Sequence, residues 1–583
     1  MKSNRRLVLE LVLACAPLLA LTAQDSLATW GPNGVHLVRP APPASSGIAT
    51  IGSDGEGGTY IAWPEADTLG AIAFRIHRLT AAGDPPDGWT ATGVRACALS
   101  NWTGAAGVIP DGAGGAYLYW DDPAGTSRVC RIGSGGAVAP GWPAAGIALD
   151  TATGQSGLVG ADDGRGGVLL AWQRSASGET KEIVTQRFHA NGSRASGFPA
   201  QGLLITSGGG STTGSVKPRL LRDGDRGFWI SYTRIGLDTL TFPSSYAVTH
   251  LDTSGRKTAG QAPNGRVLSL PAGEVGTLYP YAPVALALDG AGGAFAFTLG
   301  RNGVVRAFHL RSTLDEDPAW PAGGRVLASG AGWPSAHFPV DENWPAAAGD
   351  RLGSAYVGWR DEADFLLHAS RVLLDGTIAS GWTAPPIVGG EMSVSLVADG
   401  AGLFVASMVP RDCPHLSCTG PLLVTRMGPG GVVAPGWPTS NLPRTLAPGV
   451  SLGEGGPHNL ARLVADESGG VVVAWLPYPE YYAFRFGPGG LTADVKPGTI
   501  TGSAIRARFD PARGVCVTFA LARAEDVRLE LYDVSGRRLA RERLDVSPGE
   551  VVIGGTQALP AGLYFARAVA ASGGAVVRVA VAR

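Results

Sequence analysis

Residues 163 to 172 read Asp163-Gly164-Arg165-Gly166-Gly167-Val168-Leu169-Leu170-Ala171-Trp172. A glycine-rich turn is followed by an apolar run that ends on an aromatic residue, nine positions after the aspartate. A short apolar run bounded by such a turn predicts a buried β-strand. The same pattern, or a close variant, recurs with its aspartate at Asp54, Asp111, Asp163, Asp223, Asp289, Asp350, Asp399 and Asp466. The sequence is therefore interpreted as an array of eight repeats.

Each repeat has a second anchor, a basic residue, which in six repeats is followed eleven positions later by Trp or Phe. A glycine and a short apolar run usually come next, so each unit of about 50–65 residues has room for four strands, the size of a propeller blade. His250 and Arg485 hold the basic position of two repeats that lack the aromatic residue. The other basic anchors are Arg78, Arg131, Arg187, His309, Arg371 and Arg426.

The aromatic residue missing from the eighth repeat is supplied at the N-terminus. Trp30-Gly31-Pro32-Asn33-Gly34-Val35-His36-Leu37 has the spacing from aromatic residue to glycine that the other repeats have. We infer that this strand completes the last blade, so that hydrogen bonds between the two ends close the ring. The predicted fold is all-β, an eight-bladed β-propeller of four-stranded blades over residues 24–500. This part resembles bacterial eight-bladed propeller repeat proteins of unknown function.

The spacing between anchors predicts where a ligand binds. If the strands of a blade are named A to D from the centre outward, the constant spacings contain the A–B and C–D turns. The variable spacings contain the B–C and D–A connections, which open on one common face of an up-and-down blade. Scaffolds keep rigid turns and vary their functional loops. We therefore expect a glycan or protein ligand on the face of the variable connections.

Composition and the N-terminus indicate an exported protein. Lys and Arg number 47 and Asp and Glu number 48, so no basic surface indicates a nucleic-acid partner. Residues 1–23 have the basic start and apolar stretch of a secretory signal. Leu13-Ala14-Cys15 loosely imitates a lipoprotein cleavage site, but the apolar stretch after it favours simple export. We expect no transmembrane span after signal removal and a secreted or cell-surface location.

The cysteines do not form a complete disulfide framework. Without Cys15, five remain, which is an odd number. Cys413 and Cys418 are spaced to close a small loop by a disulfide. With His415 they also offer three metal ligands, fewer than a tetrahedral site needs, so a disulfide is preferred and no metal is predicted.

The C-terminal region, residues 501–583, changes to short alternating strands that fit an immunoglobulin-like sandwich. Its segments Leu529-Glu530-Leu531-Tyr532-Asp533-Val534-Ser535-Gly536-Arg537-Arg538 and Leu559-Pro560-Ala561-Gly562-Leu563-Tyr564 resemble the C-terminal sorting domain of the bacterial type IX secretion system. The resemblance implies transport across the outer membrane by that machinery. The flagellar hook-capping module has a similar pattern, and an ordinary appended sandwich is the alternative.

Few residues have the pattern of a catalytic site. The repeat aspartates resemble calcium-loop residues, but we expect each to accept N–H groups of its own turn. His250 and His309 are interpreted as repeat variants of arginine. The carboxylate pairs Asp121-Asp122 and Asp361-Glu362 could serve a glycosidase. The alternative is that they are charged loop tips that face water. No cofactor is predicted, and a binding protein is preferred over a secreted polysaccharide-degrading hydrolase or lyase. The loop-face candidates are Asp121, Asp122, His337, Asp361, Glu362 and His415.

Overall fold

The computed structural model describes 30–581 with gaps. Every regular element in the described part of the chain is a β-strand, and no helix there is long and apolar enough to cross a membrane. The chain divides into two compact units, Met1–Gly490 and Leu491–Arg583. The residues left out of the description between 30 and 581 are 31–34, 38–49, 68, 101–105, 123, 153, 176–180, 207–212, 225–226, 237–243, 273, 275–283, 301, 332–344, 390–391, 409–421, 436, 438–443, 446–460, 467–468, 476–480, 488–504, 520–524, 534–537, 547–548, 554–555 and 571–572.

The described residues of the first unit form eight four-stranded antiparallel sheets, consistent with the blades of a β-propeller. We call them blades 1 to 8, with strands A to D in each. A strand from the N-terminus comes first, β1 (Val35–Leu37). Blades 1 to 4 consist of β2 (Thr50–Ser53), β3 (Thr59–Ala66), β4 (Ile72–Leu79) and β5 (Val94–Leu99); β6 (Ala106–Pro110), β7 (Ala116–Asp122), β8 (Thr126–Ile132) and β9 (Ile147–Ala148); β10 (Gln155–Asp162), β11 (Val168–Ser175), β12 (Lys181–Phe188) and β13 (Leu203–Thr206); and β14 (Thr213–Asp223), β15 (Gly227–Gly236), β16 (Ser244–Leu251) and β17 (Arg266–Val267).

The remaining blades repeat this order. They consist of β18 (Ala285–Leu288), β19 (Ala294–Leu299), β20 (Val305–Leu310) and β21 (Arg325–Ala328); β22 (Ala346–Gly349), β23 (Ser354–Arg360), β24 (Leu367–Leu373) and β25 (Ile387–Gly389); β26 (Met392–Ala398), β27 (Leu403–Met408), β28 (Leu422–Met427) and β29 (Arg444–Thr445); and β30 (Ala461–Ala465), β31 (Val471–Trp475) and β32 (Tyr481–Phe486).

Blade 8 takes its fourth strand from the other end of the chain. β1 pairs antiparallel with β32, and Val35, His36 and Leu37 lie opposite Ala483, Tyr482 and Tyr481. This is the position that the sequence predicts for the N-terminal strand. The side chain of Trp30 also bonds to blade 1, because its Nε1 donates to the carbonyl of Ala81 at 3.0 Å.

The A strands contact one another in series, each with the next along the chain, and β30 contacts β2. Glycines permit the close approach at several of these contacts. A Cβ on Gly52 would lie 2.6 Å from the carbonyl oxygen of Val108, and one on Gly349 would lie 2.8 Å from that of Leu288. A side chain at either position would force neighbouring A strands apart, so glycine is required there for packing.

Hydrophobic clusters lie between neighbouring blades, with side chains of one blade packed against those of the next. The aromatic residue of the repeat lies within strand B and is fully buried in several blades, as the periodicity predicts for packing residues. A disulfide that the sequence analysis did not predict joins Cys97 of blade 1 to Cys130 of blade 2. These two cysteines lie 33 positions apart in the sequence, and contact between β5 and β8 brings them together. The buried B-strand residues include Trp63, Trp120, Trp172, Tyr232 and Trp359.

The second unit contains two antiparallel sheets that share one hydrophobic core. Leu529 and Leu531 of one sheet and Val515 and Val517 of the other are fully buried in it. The phenol of Tyr564 donates to the carbonyl of Pro560 at 2.9 Å. The strands are β33 (Ile505–Asp510), β34 (Gly514–Phe519) and β37 (Gly549–Val552) in one sheet, and β35 (Glu525–Asp533), β36 (Arg538–Val546), β38 (Gly562–Ala570) and β39 (Gly573–Val581) in the other.

We expect Trp30→Phe to destabilise the first unit by about 1 kcal/mol, because it removes the N–H that bonds to blade 1 and keeps most of the apolar surface. Trp142→Phe is the matched control, since Trp142 makes the same bond from blade 2 to Ala190 of blade 3 at 2.9 Å. Urea unfolding of both variants measures the effect. A Trp30 variant as stable as the wild type, beside a destabilised Trp142 variant, would contradict an equivalent role for the N-terminal residue.

Candidate functional site

The repeat aspartates hold the A–B turns together. In Asp111, Oδ1 accepts the backbone N–H groups of Ala113 and Gly115, both at 2.8 Å. Asp163 does the same with Arg165 and Gly167 at 2.8 and 2.7 Å. The prediction that the repeat aspartate accepts N–H groups of its own turn is confirmed for Asp111 and Asp163. Among the described residues, no group of three His, Cys, Asp or Glu is arranged to hold a metal ion.

The second carboxylate oxygen of the aspartate pairs with the basic anchor of the same repeat. Both anchors are evident in the sequence, but their pairing is not, because they lie 19 to 27 residues apart and are brought together by the hairpins between strands A and C. The pairing holds in every blade, with His250 and His309 in the place of arginine. The N–O separations are 3.6 Å for Asp54–Arg78, 2.6 Å for Asp111–Arg131, 2.7 Å for Asp163–Arg187, 3.3 Å for Asp223–His250, 3.0 Å for Asp289–His309, 3.1 Å for Asp350–Arg371 and 3.0 Å for Asp466–Arg485, and Asp399 pairs likewise with Arg426.

The arginine and the aromatic anchor then bond together to the next blade. Arg131 Nη1 and Trp142 Nε1 both donate to the carbonyl of Ala190, each at 2.9 Å. Arg485 and Trp30 converge in the same way on Ala81, at 2.8 and 3.0 Å. These residues therefore join neighbouring blades. They belong to the scaffold and not to a ligand site.

Among the described residues, the anchors of blade 4 do not make this bond to blade 5. Its anchors are His250 and Gln261, and the Gln261 amide donates to the His250 carbonyl of its own blade at 3.2 Å. Contacts to blade 5 come from other side chains. Tyr246 donates to the carbonyl of Leu299 at 2.6 Å, and Ser231 donates to that of Val284 at 2.7 Å. His250 and His309, the two repeat variants of arginine, therefore act as structural partners of Asp223 and Asp289.

The B–C and D–A connections meet on one face, which we call the variable-loop face. In blade 2, Ser127 N donates to Gln155 Oε1 at 2.8 Å, which bonds the start of strand C to the beginning of β10. In blade 5, the N–H groups of Gly330 and Ala331 donate to the carbonyl of Gly303 at 3.1 and 2.9 Å. Bonds of this kind hold the described loops of blades 2 and 5 to the neighbouring segments.

Asp121 and Asp122 are structural groups of this face. Asp121 accepts from the hydroxyl of Ser127 at 2.7 Å. The buried Asp122 accepts from the hydroxyl of Ser100 at 2.7 Å and lies 3.4 Å from Arg128 Nε. Consecutive residues of a strand point to opposite sides of the sheet, and each carboxylate here holds a neighbouring segment. The arrangement does not favour a pair of glycosidase carboxylates.

Asp361 organises the B–C loop of blade 6. Its Oδ1 accepts Ala363 N at 2.9 Å, and its N–H donates to the carbonyl of Leu366 at 3.0 Å. Glu362 is exposed, and its carboxylate lies 3.7 Å from Arg360 Nη1. Both residues belong to a tight, bonded loop, in which Asp361 has a structural role.

The same loop presents an aromatic residue that the sequence analysis missed. Phe365 is 49% exposed, and the guanidinium carbon of Arg360 lies 4.5 Å from its ring centroid. Its φ is 60°, which is rare for a bulky residue and is found where surrounding bonds impose it, often at functional sites. Its N–H donates to the carbonyl of Asp361 at 3.0 Å. Nothing in the sequence around this single Phe indicates that its side chain is exposed.

The remaining candidates lie outside the described residues. His337, His415, Cys413 and Cys418 are among them, so their predicted roles stay predictions. The described His77 is buried against Trp63, with 5.0 Å between ring centroids. Burial, with a smaller contribution from Arg75, lowers the pKa of His77 to about 3. It is therefore neutral near pH 7 and belongs to the packing of blade 1.

Comparisons with known proteins give matches among solved structures. No protein-family model matches the chain, and no curated protein matches it either. Solved structures with which it shares similarity include the BP39L lectin from Burkholderia pseudomallei, at 11% identity and a TM-score of 0.39, covering 67% of this chain and 98% of the lectin. The Dos1 propeller has 9% identity and a TM-score of 0.39, covering 76% and 94% of the two chains.

A third similar structure is the β-propeller domain of the Trilobed protease from Pyrococcus furiosus. It has 10% identity and a TM-score of 0.33, covering 66% of this chain and 98% of that domain. Likenesses of this strength carry no argument about ligand or activity. The strand order and pairing of the sheets are by themselves consistent with β-propeller blades.

The pH dependence of stability should differ between blades 3 and 7. Burial raises the pKa of Asp163, but bonds from Arg187, Arg165 and Gly167 outweigh it, so the pKa is lowered. The stability that Asp163 contributes is present above the unfolded pKa of about 3.9 and lost as pH falls through the folded pKa. For Asp399, burial outweighs the bonds from Arg426 and Ala401, so the pKa is raised. Its contribution is present below the unfolded pKa and lost as pH rises through the folded pKa.

We therefore expect Asp163→Asn to cost about 3 kcal/mol near pH 7, because it leaves Arg187 buried without a counter-charge, and to weaken the loss of stability below about pH 4. Asp399→Asn should change the pH dependence in the opposite sense. Urea unfolding between pH 3 and 7 measures both. Identical pH profiles for the two variants would refute the assignment.

Proposed function

We propose that this protein is an exported β-propeller that binds a glycan or protein ligand on its variable-loop face, without catalysis. The observation that carries the proposal is the exposed, constrained ring of Phe365 on that face, with Arg360 beside it. Exposed aromatic residues next to a cation are typical recognition groups, and a backbone fixed before binding lowers the entropic cost of association.

The proposal includes a closed ring of eight blades. Its support is the contact of β30 with β2, the pairing of β1 with β32 and the shared bonds of Trp30 and Arg485 to Ala81. A closed ring has no unpaired edge between its first and last blades. It would hold the B–C loops of all blades in fixed relative positions.

Export is supported by the predicted signal segment and by the disulfide between Cys97 and Cys130, because disulfides persist in oxidising compartments. The resemblance of residues 501–583 to a sorting domain supports transport by the type IX machinery to the cell surface or the medium. Transport of this protein by the type IX machinery is therefore part of the proposal.

Deletion of residues 504–583 tests the transport step. We expect the truncated protein to accumulate in the periplasm, because the segment that would be recognised at the outer membrane is gone. Cell fractionation with an antibody to the propeller measures its location, and the full chain expressed from the same promoter is the control. Normal surface display of the truncated protein would refute a sorting role.

Ligand binding is tested on an array of polysaccharides and surface proteins with the full mature chain. Once the array gives a bound probe, Phe365→Asn should weaken binding about tenfold or more. Asn tolerates a positive φ, so the loop keeps its backbone while the ring is removed. Leu352→Ala is the control, because Leu352 is 68% exposed in an A–B turn, on the opposite face.

Equal binding by Phe365→Asn and the wild type would refute the assignment of Phe365. Supernatants from the array are also analysed for cleavage products. Products released by the wild type would replace the binding proposal with a polysaccharide-degrading enzyme. Thermal unfolding of both variants verifies that their folds are intact.

A further inference from the structure

The variable-loop face carries a second series of cation–carboxylate pairs, built on the strand C residue that lies opposite the aromatic position of strand B. In blades 1, 2 and 5 this residue is an arginine, namely Arg75, Arg128 or Arg306. Each arginine donates from Nη1 to the carbonyl of the glycine just ahead of strand D, at 3.3, 3.4 and 3.5 Å. Each also pairs with a carboxylate of the same face, and these partners are Glu65, Asp122 and Glu274. A fixed positive charge therefore joins a carboxylate of that face to strand D in these blades.

Blade 6 has a histidine at this position. His368 lies opposite Trp359 in the pairing of β23 with β24. Its Nδ1 lies 3.1 Å from the carbonyl oxygen of Pro385, just ahead of strand D, and its Nε2 lies 2.9 Å from Oδ2 of Asp364. The imidazole thus takes the place of the guanidinium, with the same two kinds of partner. Unlike arginine, histidine changes its charge between about pH 5 and 8.

Both ring nitrogens of His368 face groups that accept hydrogen bonds. The carbonyl of Pro385 can only accept, and so can the carboxylate of Asp364 when it is ionised. Burial raises the pKa of Asp364, but bonds from Leu366 N and His368 outweigh burial and lower the pKa, so the carboxylate is ionised near pH 7. The two contacts together require an N–H on both nitrogens, which only the protonated imidazole has. A neutral ring would turn a lone pair toward one of its two acceptors.

Few charged residues surround His368. Arg371 and Arg426 are basic anchors that pair with repeat aspartates at the other end of their strands. Arg360 lies 3.7 Å from the carboxylate of Glu362, and Asp361 accepts an N–H of its own loop. The contact with an opposite charge that His368 makes is the one with Asp364. The charged residues among the described parts of β23 to β28, the B–C loop of blade 6 and residues 329–331 and 379–386 that lie toward this face, together with the two basic anchors, are Arg360, Asp361, Glu362, Asp364, Arg371 and Arg426.

Asp364 connects the imidazole to the exposed ring of Phe365. Its Oδ1 accepts the N–H of Leu366 at 2.9 Å, so the carboxylate spans the residue that lies between them in the chain. His368 holds Oδ2 of the same carboxylate. The φ of 60° at Phe365 persists only where surrounding bonds impose it. Loss of the His368 contact therefore removes one of the bonds that keep Phe365 in this conformation.

We propose that His368 is a positioning residue of the variable-loop face, and that its protonation sets how firmly the B–C loop of blade 6 holds Phe365. Below about pH 6 the charged ring bonds to both Pro385 and Asp364. As pH rises and the ring loses a proton, the bond to Asp364 is lost and the loop loosens. A ligand on this face is then bound more tightly in acid than in alkali. This last step rests on the proposed function, whereas the loosening of the loop does not.

Hydrogen exchange of the full mature chain, followed by mass spectrometry without any ligand, measures the loop. After correction for the intrinsic effect of pH on exchange, the protection of peptides that contain Phe365 and Leu366 should fall about fivefold between pH 5.5 and pH 8.5, the factor expected for one net hydrogen bond. The B–C loop of blade 2 is the internal control, because Asp122 there lies 3.4 Å from Nε of Arg128, which stays charged. Equal protection of the blade 6 loop at both pH values, or an equal fall in both loops, would overturn the proposal.

Two variants with different expected pH profiles separate protonation from packing. His368→Arg introduces the residue of blades 1, 2 and 5 and should remove the pH dependence, with the loop protected at both pH values. Asp364→Asn keeps an oxygen for Leu366 N and gains an amide N–H that only a neutral imidazole accepts, so protection should rise with pH. Thermal unfolding identifies the variants that fold. An unchanged fall in folded His368→Arg would overturn the role of His368, and an unchanged fall in folded Asp364→Asn would overturn that of Asp364.

The array of polysaccharides and surface proteins, probed at both pH values with the wild type and His368→Arg, measures the effect on binding. We expect the wild type to bind about fivefold more weakly at pH 8.5 than at pH 5.5, and His368→Arg to bind equally at both. Equal binding by the wild type at both pH values would overturn the coupling between the loop and binding. An array that binds nothing would refute the proposed function, while hydrogen exchange would still decide the role of His368.

Discussion

The ion pair between the repeat aspartate and the basic anchor is the interaction on which the first unit depends. One carboxylate closes the A–B turn with Oδ1 and binds strand C with Oδ2, so it joins three strands of a blade. In blade 2 the carboxylate of Asp111 is completely buried. A buried charge is tolerated only when it is paired and hydrogen-bonded. The spacing of turn and strand is therefore constrained in the six repeats that have an arginine anchor, because separating the pair would leave both charges unsatisfied.

The same pair also connects the blades. In blades 2, 6 and 8 the arginine that is held by its aspartate also donates to a carbonyl in the C–D turn of the next blade, and a Trp N–H donates to the same carbonyl. Blade 4 has neither group in its anchors and contacts blade 5 through Tyr246 and Ser231. Blades 1 and 2 have a covalent link in addition, between Cys97 and Cys130. The strength of the connection thus varies around a regular scaffold.

Rigid turns on one face leave the opposite face free to differ between blades. The B–C loop of blade 6 uses Asp361 to hold its backbone, and this holds Phe365 in a conformation that a bulky residue rarely adopts. In this loop, local irregularity in a repeating frame produces a chemically distinctive group.

The sequence by itself determined the strand content, the repeat length, the capping role of the aspartates and the position of the N-terminal strand beside β32. These features depend on residues close in sequence, or on a period that repeats often enough to be read without coordinates. Only the tertiary structure decided that Asp and Arg anchors meet, that Cys97 faces Cys130, and that Asp121 and Asp122 are engaged by neighbours. It also decided which side chains are displayed, because the exposure of Phe365 depends on packing between segments far apart in the chain. The local sequence preferences of each segment do not determine which distant segments come into contact.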